Sequence, residues 1–167
     1  MHDSQINYDL DAYIRQQLQL EAQEIRTFSP LVLAYIGDGI YELIIRTMVV
    51  RQGNRQVSKL HRQASRYVKA QAQSQMIETL LPLLNEEELC AYKRGRNAKS
   101  YSTAKNASVN DYRRATGFEA LLGYLYLKGD MQRLLELVKA AVEGYTPDER
   151  EGEQTRNASA GQTDQEI

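Results

Sequence analysis

Cysteine is nearly absent from this sequence: Cys90 is the only one in 167 residues. A disulfide framework, a zinc ribbon and a Cys-x-x-Cys redox pair are therefore excluded within one chain. Histidine is almost as scarce, with His2 and His61 alone, which excludes a histidine-rich metal centre. Any bound metal must rest mainly on oxygen ligands, a preference of Mg²⁺, Mn²⁺ and Ca²⁺. Tryptophan is missing. Tyrosines number 11, but Tyr35, Tyr41, Tyr124 and Tyr126 fall at expected core positions, so no base-stacking platform is read. Prolines occur only at 30, 82 and 147, and neither a glycine- or serine-rich linker nor an internal repeat is visible. The longest apolar stretch, 31–50, contains Asp38, Glu42 and Arg46 and is too polar for a simple membrane span. The first residues, Met1-His2-Asp3-Ser4-Gln5, lack the basic and apolar regions of a signal peptide. A soluble cytoplasmic protein without a membrane partner is the expectation.

What is present is a globular composition, 42% hydrophobic and 26% charged, in a length suited to one domain. The net charge of −1 argues at face value against a nucleic-acid partner. Its distribution argues otherwise. Residues 51–70 carry Arg51, Arg55, Lys59, Arg62, Arg66 and Lys69 and no acid. Residues 91–115 carry Lys93, Arg94, Arg96, Lys99, Lys105, Arg113 and Arg114 against Asp111 alone. These two stretches hold 13 of the 21 basic residues, so the balance is struck elsewhere. Part of it lies in the segment 147–167, where six acids face Arg150 and Arg156.

The hydrophobic spacing is helical almost throughout, with no strand pattern, and predicts an all-α helical bundle. An accessory helix is expected over 8–26, within an N-terminal segment 1–28. Ser29-Pro30 combines a capping side chain with a residue suited to the first helical turn, predicting a helix from 30 to 51 stopped by Gly53. Ser58 is the expected cap of a basic helix over 58–69, and another helix follows over 70–84. Asn85 before Glu86, Glu87 and Glu88 places acids at the positive end of the helix dipole, opening a helix that reaches 94–97. A polar loop is expected over 98–108, a helix capped by Asn110 over 111–128, and one capped by Asp130 up to Glu143 with Gly144 as its stop. The domain proper thus spans 29–145, and 146–167 reads as a disordered polar tail.

Two of these helices contain acids where apolar residues belong. The run Leu33-Ala34-Tyr35-Ile36-Gly37-Asp38-Gly39-Ile40-Tyr41-Glu42-Leu43 is apolar nearly all round and is expected to be buried. Asp38 and Glu42, four apart, share a face. Gly37 and Gly39 each cost roughly 1 kcal/mol of helix propensity relative to alanine, and would let another backbone approach the acid. Glu119 lies similarly within Thr116-Gly117-Phe118-Glu119-Ala120-Leu121-Leu122-Gly123. An unpaired buried carboxylate is costly. Each acid therefore needs a local base, such as Arg46 or Arg114, or a cation. Acids in two glycine-bearing helices favour a shared cation site, and carboxylate-held Mg²⁺ activates water against phosphodiesters. The block Lys93-Arg94-Gly95-Arg96-Asn97-Ala98-Lys99-Ser100 suits a phosphate backbone and its 2′-hydroxyls. The stripe through Arg55, Lys59, Arg62, Arg66 and Lys69 suits a regular polyanion. Lys93, Arg94, Arg96, Asn97, Lys99, Arg62 and Arg66 are the candidate RNA-binding residues; His61 is read as a surface residue.

Ala34 to Glu42, Phe118 to Gly123 and the block 93–100 together resemble the ribonuclease III family, in particular its short subgroup, Mini-ribonuclease III. The resemblance covers residues 29–144. It implies the all-α endonuclease fold of that family, with Asp38 and Glu119 as catalytic and metal-binding residues and Mg²⁺ as cofactor, Mn²⁺ being able to substitute. It further implies hydrolysis of double-stranded RNA to 5′-phosphate and 3′-hydroxyl ends, and a homodimer formed through the helix bearing Asp38. Within the subgroup the substrate is the large-subunit (23S) precursor ribosomal RNA, with ribosomal proteins as candidate further partners. Larger family members carry two more acids, which would fall at Ala34 and Thr116 and are absent here. Glu42 replaces one of them, supports the ligands from behind, or lies at the dimer interface; these remain open. Larger members also carry an RNA-binding domain, for which the 23 residues after Gly144 are too few, so the grip on RNA is expected from the two basic stretches. The missing acids favour an alternative, a non-catalytic RNA-binding or ribosome-assembly protein of the same fold. A purely structural helical dimer with buried ion pairs is the third reading.

Overall fold

A computed structural model describes residues 9–99 and 108–148. Ser100, most of the expected 98–108 loop and most of the expected tail lie outside the described residues. Among the described residues the protein is all-α: α1 (Leu10–Leu18), α2 (Pro30–Arg51), α3 (Val57–Val68), α4 (Ala70–Leu80), α5 (Glu86–Asn97), α6 (Val109–Lys128) and α7 (Met131–Glu143), with single 3₁₀ turns at Ile25–Thr27 and Leu81–Leu83. None of these helices is long and apolar enough to cross a membrane.

Several ends fall where local chemistry puts them. Ser29 Oγ accepts from the Val32 amide at 3.3 Å, with Pro30 in the first turn. Asn85 and Glu88 cap each other's backbone amides reciprocally, at 2.9 Å each. Gly129, at φ 84°, closes α6, and Asp130 caps α7. Other ends differ from expectation. The carbonyl of Gln56, not Ser58, starts α3, taking bonds from the Lys59 and Leu60 amides. Ser108, not Asn110, caps α6: its hydroxyl accepts from the Asp111 amide at 3.0 Å and donates to the Asp111 carboxylate at 2.8 Å. Pro82 supplies no amide proton, and α4 yields to a 3₁₀ turn after Leu80. The helix expected over 8–26 shrinks to Leu10–Leu18 because Gln19 turns left-handed, at φ 55°. The chain then bends to bring Phe28 onto Leu33, Ala34 and Ala120.

The central element is α6, with α2, α4 and α5 packed round it. Tyr41, Ile45, Met76, Ile77, Tyr92, Phe118, Leu121, Leu122, Leu125 and Leu134 make the core. The Tyr41 and Phe118 rings meet edge-on at 5.1 Å. Burial of each large aliphatic side chain contributes about 1.5–3 kcal/mol. Two glycine crossings set how closely α6 is approached. A Cβ on Gly37 of α2 would run into the Glu119 carbonyl, and one on Gly123 into the Leu33 carbonyl. On the other side, a Cβ on Gly95 of α5 would lie 3.0 Å from the Gly117 Cα and the Thr116 oxygen. Backbone against backbone, the two crossings fix the relation of α2 and α5 to Glu119. A clamp steadies α5 from below: Arg133 of α7 grips the buried Glu88 carboxylate at 2.7 and 3.0 Å and donates to the Leu83 carbonyl at 2.8 Å.

Burial all round α2 is not observed. Leu33, Gly37, Ile40, Tyr41 and Ile45 face the core, whereas Val32, Leu43 and Val50 are exposed and Tyr35 is 83% exposed. Tyr35 thus leaves the expected core set. An apolar stretch without helical periodicity has a second face that the described residues leave uncovered.

Candidate active site

Asp38 rises from the middle of α2, one residue past the Gly37 crossing, and Glu119 from α6 at the same crossing. The two carboxylates act on each other across this crossing: the Asp38 charge raises the Glu119 pKa. Glu119 is partly buried, and desolvation first, then Asp38, pushes its carboxyl up to about 8. Asp38 itself lies at the surface rather than in a buried helix face. Partial desolvation first, and then the Glu42 charge, hold its carboxyl above the ordinary range.

The bases that would have neutralised these acids are engaged elsewhere. Arg46 pairs with Glu42 at 3.2 Å, and Arg114 with Glu78 at 2.8 Å. The local ion pair foreseen as the plain alternative thus describes Glu42, while Asp38 and Glu119 pair with no base among the described residues. Two carboxylates crowded without a counter-charge form a hard oxygen donor set, which fits a divalent cation such as Mg²⁺. Among the described residues no group of three histidine, cysteine or acidic side chains gathers closely enough to hold a metal unaided. The positions of the missing acids contribute nothing further: Ala34 is buried, and the buried Thr116 spends its hydroxyl on the Tyr112 carbonyl at 2.9 Å. A cation held here would complete its coordination with water or substrate oxygens.

Beneath the acids, the Tyr41 hydroxyl donates to the Tyr67 carbonyl at 2.8 Å and contacts Met76 Sδ at 3.3 Å. Burial pushes this phenol well above its ordinary range. Gln73 of α4 is fully buried, its Nε2 donating to the Val68 carbonyl at 3.1 Å. Sequence reasoning missed it, since the run Ala70-Gln71-Ala72-Gln73-Ser74-Gln75 offers three equivalent glutamines and no motif to choose among them.

The candidate RNA contacts lie on the two helices that flank this floor. Lys93, Arg94, Asn97 and Lys99 are exposed around the end of α5, on the helix that crosses α6 at Gly95. Arg96 is half-buried, with its guanidinium 5.7 Å from the Tyr92 ring centroid and its Nε donating to Asn97 at 3.3 Å. Arg62 is exposed and Arg66 half-buried on α3, whose last turn supplies the Tyr67 carbonyl under the site.

Residues 31–130 match the family model described as ribonuclease III domain. The chain is similar to a Mini-ribonuclease 3 from Clostridium tetani, at 49% identity over 74% of this chain and 82% of that protein. A Mini-ribonuclease 3 from Brevibacillus brevis is 52% identical over 68% of this chain and 84% of its own length. Among solved structures, a crystal structure of a Fusobacterium nucleatum protein superposes with a TM-score of 0.66 at 30% identity, covering 73% of this chain and 98% of that one.

Proposed function

The chain belongs to the ribonuclease III family, and from that premise we propose that it is an endoribonuclease that hydrolyses double-stranded RNA with a divalent cation, Mg²⁺ or in its place Mn²⁺. One observation carries the reading. Asp38 and Glu119 rise at a backbone-tight helix crossing and pair with no base among the described residues. Asp38 and Glu119 are the residues that would hold the cation; Glu42, paired to Arg46, stands behind Asp38 as a candidate third. When bound, the cation supplies a Lewis acid and a water of lowered pKa. The chain's own residues do the rest. Lys93, Arg94, Arg96, Asn97 and Lys99 take the RNA backbone along α5, and Arg62 and Arg66 take it along α3, positioning a phosphodiester at the acids. Products carry 5′-phosphate and 3′-hydroxyl ends. The apolar outer face of α2, centred on Tyr35, Gly39 and Leu43, packs on a second copy, so that each protomer addresses one strand. The substrate within this class is the 23S precursor ribosomal RNA, in keeping with the kinship to Mini-ribonuclease 3.

Asp38→Asn and Glu119→Gln test the reading. Each variant should lose about a thousandfold in cleavage, corresponding to several kcal/mol of electrostatic stabilisation, while duplex binding stays close to that of the parent. Full cleavage by either variant would refute the assignment. The absence of acids at Ala34 and Thr116 favours a second reading, a non-catalytic RNA-binding or ribosome-assembly protein. That reading expects duplex binding by the parent protein and no cation-dependent cleavage.

A further inference from the structure

The basic face of α3 lacks an anion. Residues 51–70 hold no acid, whereas α5 opens on Glu86, Glu87 and Glu88. Lys59, Arg62 and Arg66 follow one another at three and four residues, a spacing at which like charges on a helix repel. Lys59 and Arg62 are exposed and Arg66 is half-buried. Among the described residues none of the three pairs with a carboxylate.

The chain leaves α7 at this same helix. Gly144 closes α7 against Thr79 of α4, whose Cγ2 would lie 2.9 Å from a Cβ placed there. Tyr145 then crosses to α3. Its hydroxyl donates to the Arg66 carbonyl at 3.2 Å, and its ring meets that of Tyr67 edge-on at 5.9 Å. The sequence that departs from this anchor is acidic at once: Asp148, Glu149, Glu151 and Glu153 against Arg150. At about 3.3 Å per extended residue, 146–153 reaches about 26 Å, beyond the about 18 Å length of α3. Single exposed ion pairs are weak. Several acting together on one tether are not, because the tether makes the contact intramolecular, at an effective concentration on the order of millimolar.

We propose that the acidic segment 147–167 docks along the basic face of α3 as an internal stand-in for a phosphate backbone, so that duplex RNA must displace it. Its carboxylates oppose Lys59, Arg62 and Arg66, the groups a phosphate backbone would take. Docking lowers duplex affinity at low salt and fades as salt screens the pairs. The inference rests on the reading of α3 as an RNA contact, and the tests separate the two.

Glu149→Gln, Glu151→Gln and Glu153→Gln, made together in the full chain, keep size and remove three charges. Measured in chelator, the affinity of this triple variant for a duplex RNA should rise about fivefold over the parent at about 50 mM salt, and less than about twofold at about 300 mM. In an Arg62→Ala, Arg66→Ala background the gain should vanish. Carbodiimide, which joins a carboxylate directly to an amine, should link Glu149, Glu151 or Glu153 to Lys59 in the parent, and high salt or added duplex should suppress the link. Unchanged affinity in the triple variant overturns the proposal, as does the absence of a link to Lys59. A gain that persists in the Arg62→Ala, Arg66→Ala background overturns it too, being the mark of long-range repulsion between the acids and RNA. If Arg62→Ala with Arg66→Ala leaves duplex binding undiminished even in the triple variant, the reading of α3 as an RNA contact itself fails, and the competition with it.

Discussion

Glu119 is held where its charge is least favoured, partly desolvated and next to Asp38. Its carboxyl titrates near 8 in the folded chain against an ordinary 4.5. Between those values the folded state keeps a proton that the unfolded chain has released. Metal-free stability must therefore fall as pH rises through that window. A divalent cation replaces the proton as counter-charge, so its stabilising effect must grow over the same range. In thermal melts, the metal-free protein should lose melting temperature from about pH 5 to about pH 8. Mg²⁺ should raise it more at the upper end, and Glu119→Gln should flatten the slope. A metal-free melting temperature that does not change over this range would contradict the electrostatics described for the site. At this scale the sequence was legible in part. Acids inside apolar, glycine-bearing helices single out Asp38 and Glu119 because burial is costly for carboxylates. Whether each is buried depends on which face of its helix the fold covers, and Asp38 lies at the surface. Gln73 gave no signal, because its burial depends on how α4 packs on α6, which no local pattern encodes.

Elements whose limits rest on local hydrogen bonds could be read directly: Ser29-Pro30 before α2, Asn85 with Glu88 before α5, Gly129-Asp130 between α6 and α7. Where two capping residues stand close together, the path of the chain chooses. Ser108 prevails over Asn110 because it exchanges two hydrogen bonds with Asp111. The glycines of α2 separate at this scale into two kinds. Gly37 abuts the Glu119 carbonyl, whereas nothing lies within 4 Å of a Cβ placed on Gly39. Gly37→Ala should cost at least ~1–3 kcal/mol of overpacking, offset only in part by the ~1 kcal/mol of regained helix propensity. It should also cost activity, by prising α2 off α6. Gly39→Ala should leave the protomer fold intact. Chemical denaturation of the two variants makes the comparison, and equal stabilities would contradict the crossing. The apolar composition of α2 had predicted burial all round. Among the described residues the fold buries one face and leaves Tyr35, Leu43 and Val50 outside, which is the division expected if a second copy covers the other.

For the whole molecule, a net charge of −1 conceals opposed regions, and only their separation along the chain pointed to a polyanion. The candidate RNA contacts lie on α3 and around the end of α5, and α5 packs on the helix carrying Glu119. Duplex binding should therefore fall steeply with salt, with a log–log slope of about 0.7–0.9 per phosphate contact. Reversing charge together at Lys93, Arg94 and Arg96 should cut the slope by about two to three. An unchanged slope would make this block merely a solvated surface. The most direct test of the central claim is incubation of the purified full chain with a duplex RNA, with Mg²⁺ and with chelator, with analysis of the product ends. Cleavage of the duplex in Mg²⁺ alone, leaving 5′-phosphates and sparing the separated strands, is the predicted result. An intact duplex in Mg²⁺, or equal cleavage in chelator, would contradict it.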